Sequence, residues 1–419
     1  MILSNTQKAE LVSYRQEFET ELHSILEYWI KYSQDENTKG FHGAVDINNQ
    51  VVPDAPRSCV LTARILYTFA SAEMDFPGRS YDQMAHRAYA MLRDHFQDSE
   101  NKGFFMDIDS DLKPINTIKH TYAQAFVLYA LAKYYELTSD QEVLTLIQDF
   151  FGFLDDKAKD TDGPGYLEGF SKEWKLIEQN RMADDNDPKS MNTHLHLLEA
   201  YAAVYKVWPD SKVNDRLKEL LLLFETSIIR RCSHLGIFFD KDFKETNASR
   251  EICSFGHDIE ASWLILEAID ILGDWELKDR VEATLIQMAN NIYRVGMDQD
   301  GGLFLESTRN GSHVRTNKHW WLQAEMLVGE MNSYTQTGSD KYWSLVKRTW
   351  RFVNRHVIDH EKGEWFTKVN RIGQPFYVEP ADDPSPYYRN DWKIDPWKCP
   401  YHNGRAMMEL IKRIDKLLK

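Results

Sequence analysis

Residues 103–158 read GFFMDIDSDLKPINTIKHTYAQAFVLYALAKYYELTSDQEVLTLIQDFFGFLDDKA, and this stretch decides the fold. It opens on a glycine followed by aromatic residues, which fits a short strand or turn. Val127, Leu131 and Tyr134 then recur three and four apart, the period of a helix. A polar turn at Thr138-Ser139-Asp140 ends that helix, and DQEVLTLIQDFFGFLDDKA begins a second. The unit is helix, polar turn, helix and glycine phrase.

The same phrase occurs six times: GFHGAVDINN at Gly40, GFFMDIDSD at Gly103, GYLEGFSKEW at Gly165, GIFFDKDFKE at Gly236, GLFLESTRNG at Gly302 and GEWFTKVNRIG at Gly363. Successive glycines are 63, 62, 71, 66 and 61 residues apart, so the period spans nearly all of the 419 residues. Helical spacing returns in LHLLEAYAAVYKVW (195–208) and IEASWLILEAIDIL (259–272). Six such units make about twelve helices, arranged either as an open solenoid or as six hairpins closed into an (α/α)6 barrel. Helices over Phe126–Tyr135 and Ile259–Leu272 are apolar nearly all round, which places them in an inner ring. The expectation is an all-α protein: an (α/α)6 barrel with short β-segments in the loops at one end, forming a single catalytic domain over residues 1–419.

The bulk numbers narrow the partners. Acidic residues outnumber basic ones 65 to 50, giving a net charge of −15, which disfavours nucleic acid and anionic membrane. Four scattered cysteines offer neither a disulfide framework nor a metal-ligand spacing. The acidic, amphipathic start MILSNTQKAELVSYRQEFETEL is not a signal peptide, and no apolar run approaches a membrane span, so a cytoplasmic location is expected. The chain carries 12 Trp, 20 Tyr and 21 Phe, a supply of rings that builds cores and also stacks on the apolar faces of sugars. A monomer or weak homodimer is expected.

Polar residues gather where each inner helix begins. The first has Arg57 and Arg64, two turns apart. The second opens with Lys119, His120, Tyr122 and Gln124. In the third, Asn192, His196 and Glu199 share a face while His194 points away. The fourth opens with His257, Asp258 and Glu260, the fifth with His319, Trp320, Trp321, Gln323 and Glu325, the sixth with Trp397, Tyr401, His402 and Arg405. Six of the 14 histidines fall at these starts. In a closed barrel all six starts lie at one end, so these side chains would converge on one funnel. A lone histidine at a helix start is ordinarily a cap or a satisfied core residue; five of six helices each supplying one is harder to explain that way.

A funnel lined by His, Glu, Arg, Asn and Trp suits an uncharged, ring-shaped, polar ligand, and a carbohydrate is the natural candidate. Histidine moves protons near neutral pH. Glycoside hydrolysis would instead use two carboxylates, for which Glu260, Glu325 and Glu306 are available. No dinucleotide fingerprint, phosphate loop or metal cluster appears, so proton transfer without a cofactor is the economical inference. An opened aldose has an acidic C–H beside its aldehyde, which two bases on opposite faces could remove and return. A helical-repeat interaction module remains the non-enzymatic alternative.

The segments MNTHLHLLEAY (191–201), GHDIEASWLILEA (256–268), KHWWLQAEML (318–327) and PWKCPYHNGRA (396–406) resemble those of cellobiose 2-epimerases, within the N-acylglucosamine 2-epimerase superfamily. The resemblance runs from SCVLTARILYTF (58–69) to the C-terminal motif. It implies an (α/α)6 barrel and epimerisation at C2 of the reducing-end sugar of a β-1,4-linked disaccharide. It also implies roles. His257 and His402 would be the acid/base pair and His196 the histidine of ring opening. Arg64 and Asn192 would donate to O1 and O2. Trp321 and Trp397 would stack on the sugar, with Glu260, Glu306, Asp184 and Glu325 as supporting acceptors. His194, His120 and His319 are assigned to structure or to the layer of side chains behind the site. The alternative within the superfamily is an aldose–ketose isomerase or a 2-epimerase acting on a monosaccharide such as mannose or N-acylglucosamine.

Overall fold

Two classes of helix differ in how much of themselves they bury. Thr121–Thr138 buries thirteen of its 18 residues, whereas Gln141–Ala158, the helix that follows it, buries seven of 18 along one stripe. The first needs neighbours on all sides and the second on one, which separates an inner from an outer layer. In the structure, a computed structural model describing residues 3–178, 186–378 and 389–419, this alternation runs along the chain. The helices are α1 (Asn5–Tyr32), α2 (Cys59–Asp75), α3 (Asp82–Met91), α4 (Thr121–Thr138), α5 (Gln141–Ala158), α6 (Met191–Val207) and α7 (Ser211–Leu223). After them come the single turn α8 (Asn247–Arg250), then α9 (Phe255–Leu272), α10 (Trp275–Val295), α11 (Trp320–Thr337), α12 (Asp340–Phe352) and α13 (Tyr401–Leu418).

Helices α2, α4, α6, α9, α11 and α13 pack each on the next, and α13 packs back on α2, so the inner ring closes as an (α/α)6 barrel. The outer helices α3, α5, α7, α10 and α12 each lie on the inner helix adjacent to them in sequence. The sixth outer place is taken by α1, which packs on α13. The first and last helices therefore form one hairpin, tying the two ends of the chain together. No described helix is long and apolar enough to cross a membrane.

A second ring, of strands, caps the end where the inner helices begin. The strand leading into each inner helix pairs antiparallel with one from the next repeat: Arg57–Ser58 with Asp107–Ile108, Lys119–His120 with Gly169–Phe170, Lys189–Ser190 with Phe238–Phe239, Ile252–Ser254 with Glu306–Thr308, and Lys318–His319 with Lys368–Val369. Trp392–Ile394 closes the circle on Val45–Asp46. Arg57 is thus a strand residue, not a partner of Arg64 on a helix face; its guanidinium reaches Asp35 at 2.7 Å.

That ion pair recurs. Lys119–Asp98 (3.0 Å), Lys189–Asp160 (2.6 Å), Lys318–Asp298 (3.0 Å) and Lys393–Asp359 (2.8 Å) are its counterparts, with basic side chains almost wholly out of solvent. A charge so buried stays only if it is paired, and each pair staples a strand to the hairpin in front of it. The fourth repeat departs: Arg230 stands in the aspartate's place, Cys253 in the lysine's, and Arg230 bonds Glu245 instead.

A further staple comes from the fourth residue of four inner helices. Gln124 bonds Phe104 N and O, Gln323 bonds Leu303 N and O, His194 accepts from Tyr166 N at 2.9 Å, and Asp258 accepts from Leu235 N at 2.8 Å. These contacts correct the register of the glycine phrases. The bridging residues are Phe41, Phe104, Tyr166, Leu235, Leu303 and Trp365, so the residue before the bridge is His234 in the fourth repeat and Glu364 in the sixth. Glu364 adopts the left-handed backbone there, at φ 62°.

Candidate active site

The funnel is built mainly from the second, sixth and ninth residues of the inner helices, the i, i+4, i+7 face that looks inward, joined by His257, third in α9, and Arg405, fifth in α13. On α6 this face carries Asn192, His196 and Glu199; on α9 it carries Gly256, Glu260 and Trp263; Trp321 and Glu325 follow on α11. Helix α2 adds Arg64, α4 adds Tyr122 and Phe126, and α13 adds His402 and Arg405.

One connected network joins them. His402 Nδ1 meets Glu325 Oε1 at 2.7 Å, and Arg405 Nη2 lies 2.7 Å from that same oxygen and 2.9 Å from Glu260 Oε1. Arg405 Nη1 is 2.5 Å from Glu199 Oε1 and also bonds the Tyr401 hydroxyl. Glu199 in turn meets His196 Nδ1 at 3.1 Å and accepts from Tyr401 at 2.7 Å. His257 lies outside the carboxylate chain; its Nδ1 is 2.8 Å from Ser254 Oγ. The indole of Trp321 touches both histidines, with ring centroids 5.0 Å from His257 and 5.6 Å from His402. A Cβ at residue 256 would sit 2.5 Å from that indole, so Gly256 is what lets the ring close on His257.

Burial sets the proton affinities. It pushes His257 down to about 4, with His196 adding to the effect, and pushes His402 well below the ordinary imidazole range, with Arg64 and Arg405 adding. Both rings are therefore neutral near pH 7 and can accept a proton. With Nδ1 engaged in each, Nε2 is the remaining basic atom. Burial and the Glu325 charge push Glu260 up, while Arg405 beside it pulls it down. Burial also raises Glu199, but Arg405, His196 and Tyr401 outweigh it and bring that carboxyl down to about 2. Glu260, Glu325 and His402 bring donor atoms within 4.8 Å of one another, the kind of set a divalent cation takes. Arg405 already lies on both carboxylates, so the chain supplies a cation there.

Arg64 donates to the Tyr122 hydroxyl at 2.6 Å and lies 4.2 Å from the Phe126 ring centroid, which keeps its guanidinium at the wall beneath Trp397, whose ring is 5.9 Å from Tyr122. Arg64 Nε and Asn192 Oδ1 are buried without a hydrogen-bond partner among the described residues. Such orphans are costly unless a ligand satisfies them. Glu306 stands at the rim, opposite Ser254 across the strand pair, with its carboxylate 2.9 Å from Arg315. Asp184 lies outside the described residues. His194 faces away from the funnel, with Nδ1 on Ser190 O at 2.6 Å and Nε2 on Tyr166 N. His120 caps α4, and His319 precedes α11.

Sequence reasoning placed Glu199, Tyr122, Tyr401 and Arg405 at helix starts converging on the funnel but gave none of them a role. Glu199 and Arg405 each follow a funnel histidine, His196 and His402, by three residues, which was the available signal. Ser254 and Gly256 were missed altogether.

The chain matches the N-acylglucosamine 2-epimerase (GlcNAc 2-epimerase) family over residues 40–388. It is 35% identical over 401 residues to a cellobiose 2-epimerase of Bacteroides fragilis, covering 95% of this chain and 98% of that one. The solved structure of a cellobiose 2-epimerase from Bacillus thermoamylovorans B4167 superposes with a TM-score of 0.87 at 33% identity, covering 96% of this chain and 99% of the other. A D-mannose isomerase structure superposes with a TM-score of 0.80 at 20% identity, over 95% and 97% of the two chains, a likeness of fold.

Proposed function

This chain belongs to the N-acylglucosamine 2-epimerase family and is a carbohydrate 2-epimerase, and we propose that it acts without a cofactor on the reducing-end sugar of a β-1,4-linked disaccharide, converting cellobiose to glucosyl-mannose. The observation that carries the reading is that His257 and His402, two neutral imidazoles from different helices, both pack on Trp321. A sugar ring stacked on that indole would have both bases within reach.

The proposed steps balance with groups already present. His196, held by Glu199, assists ring opening: the O1 proton leaves, O5 gains one, and C1 becomes an aldehyde. One of the two histidines then takes the C2 proton through Nε2, and the C–H electrons form the C1=C2 bond of a cis-enediolate. Arg64 stabilises the charge on O1, a preorganised cation beside a developing oxyanion. After the enediolate rotates, the other histidine delivers to the opposite face of C2 a proton that its Nε2 has taken from water, the first histidine releases the C2 proton to solvent, and the ring closes. Asn192 Oδ1 accepts from a sugar hydroxyl, and Glu260 hydrogen-bonds another. The whole closed ring acts as one catalytic unit, because every inner helix contributes to the lining.

Incubation with cellobiose in D2O tests this. The product should be glucosyl-mannose carrying deuterium at C2, and epimer free of solvent deuterium would remove the proton-transfer mechanism. Fructose formed from mannose, with no turnover of cellobiose, would redirect the assignment to an aldose–ketose isomerase.

A further inference from the structure

Three inner helices, α2, α6 and α9, are preceded by a serine in extended backbone: Ser58, Ser190 and Ser254. Two of them cap. Ser58 Oγ accepts from Val60 N at 3.2 Å, and Ser190 Oγ accepts from Thr193 N at 3.1 Å. Ser254, at φ −89° and ψ 104°, has the backbone of a capping residue but makes no side-chain cap. Its hydroxyl is on His257 Nδ1 instead. Serine is among the strongest residues at this position because it satisfies a helix N–H that otherwise lacks a partner. A serine that gives up that contact in one repeat, while its counterparts keep it in two others, has been put to another use.

We propose that Ser254 is a positioning residue for the epimerisation: its hydroxyl oxygen accepts from His257 Nδ1–H and so keeps the Nε2 lone pair available to the substrate. The proposal rests on the reading of His257 as a C2 base. A neutral imidazole carries one N–H, and whichever nitrogen holds it cannot accept a proton. An acceptor at Nδ1 selects the useful form. When Nε2 takes the C2 proton, the Nδ1–H contact to Ser254 stays as it was, so the partner need not rearrange. His196 and His402 have carboxylates in this place, Glu199 and Glu325. His257 has a neutral hydroxyl, which orients the ring without a counter-charge.

The neighbours hold this arrangement from both sides. The Ser254 backbone is fixed by antiparallel pairing opposite Glu306. The other side of the ring is closed by Trp321, whose approach the missing side chain at Gly256 permits. The imidazole is thus gripped between a hydroxyl and an indole. Ser254 and Gly256 are the two residues just ahead of His257 that differ in use from their counterparts in α6, Ser190 and Asn192.

The test measures cellobiose epimerisation and melting temperature for Ser254→Ala, Ser254→Thr and Ser254→Val in the full chain, beside His257→Asn and Ser190→Ala. Ser254→Ala should lower kcat roughly 10- to 100-fold, the scale seen when a histidine ligand loses its outer hydrogen-bond partner. KM should stay within about twofold, since ground-state binding is untouched. Ser254→Thr restores the hydroxyl and should restore most of kcat; Ser254→Val, of the same size without it, should not. Equal kcat in the Thr and Val variants overturns the proposal, even if the Ala variant folds poorly. Wild-type kcat in Ser254→Ala, with His257→Asn inactive, overturns the Ser254 assignment alone. An active His257→Asn overturns the reading of His257 on which it stands. Ser190→Ala should lower the melting temperature and leave kcat unchanged; a loss of kcat as large as that of Ser254→Ala would mean that any disturbed helix start slows turnover, and would also overturn it.

Discussion

The entrances to α6 and α9 begin from the same backbone and end in opposite uses. At α6, Lys189 is buried on Asp160, Ser190 caps the helix, and both nitrogens of His194 are spent on backbone groups. At α9 the lysine is Cys253, the aspartate is Arg230, the serine has left its cap, and the backbone staple has passed to Asp258, which also holds His234 at 2.6 Å. Moving the histidine from the fourth helical position to the third turns a structural ring into one that touches the funnel. The repeat spends its polar residues on holding itself together. Where it stops doing so, side chains become available for chemistry.

That contrast can be broken most directly by exchanging histidines. His257→Asn or His402→Asn should lower kcat by roughly a hundred- to ten-thousand-fold, the range for losing a positioned acid or base, with little change in melting temperature. His194→Gln should keep kcat and keep the fold, because Gln124 and Gln323 make the same backbone staple in α4 and α11. If His194→Gln were as inactive as His257→Asn, the separation of structural from funnel histidines would be wrong.

Arg405 belongs to neither entrance but holds carboxylates from both sides of the comparison, Glu199 of α6 and Glu260 of α9, together with Glu325. Arg405→Met would leave buried carboxylates without their cation, a change that costs about 3–5 kcal/mol when one partner of a buried pair is removed. Urea unfolding should show a loss of that size together with lost activity. A loss within the error of the measurement would mean that the carboxylates are solvated or protonated and that the guanidinium is not the hub.

Acid should report on the α6 entrance next. Burial lowers His194 to about 4, against about 6.5 in the unfolded chain. Between those values the unfolded chain binds the extra proton, so stability rises with pH there and is lost as pH falls from 6.5 toward 4. The full effect of one such group is roughly 3 kcal/mol. The stability of His194→Gln between pH 7 and 4.5 should therefore fall less than that of the wild type. Parallel pH curves for the two proteins would show that the acid sensitivity lies in other groups.

Much of this was legible in the sequence because the determinants are local and repeated. The glycine phrases, the helical spacing of LHLLEAYAAVYKVW and the apolar faces of Ile259–Leu272 required an inner ring, and α9 runs over Phe255–Leu272. The convergence of helix starts followed from closure. Three things were hidden because they depend on contacts between repeats. The pairing of α1 with α13 joins residues 400 apart, Arg15 and Asp415. The strand ring moved Arg57 off the helix face. The register shift that puts His234 and Glu364 where other repeats have glycine is set by bridges across the hairpins, not by the glycines themselves. Within the site, rings and charges were readable from spacing, whereas the partner of each imidazole was not: Ser254 looks like any helix-capping serine until its hydroxyl is located.

The smallest effect bears most directly on that ambiguity. Replacing an N-cap serine by alanine costs about 1 kcal/mol when the cap is made. Ser58→Ala and Ser190→Ala should each lose about that much in urea unfolding, because each hydroxyl accepts a helix N–H. Ser254→Ala should lose less than either, since its hydroxyl caps nothing and leaves only a small gap beside His257. The three variants differ by one oxygen atom at equivalent places in one repeat, so their ranking reads the use of the hydroxyl and not the composition of the site. An equal loss in all three would mean that Ser254 returns to its helix in solution, and with it the distinction between the α6 and α9 entrances would narrow to the histidines alone.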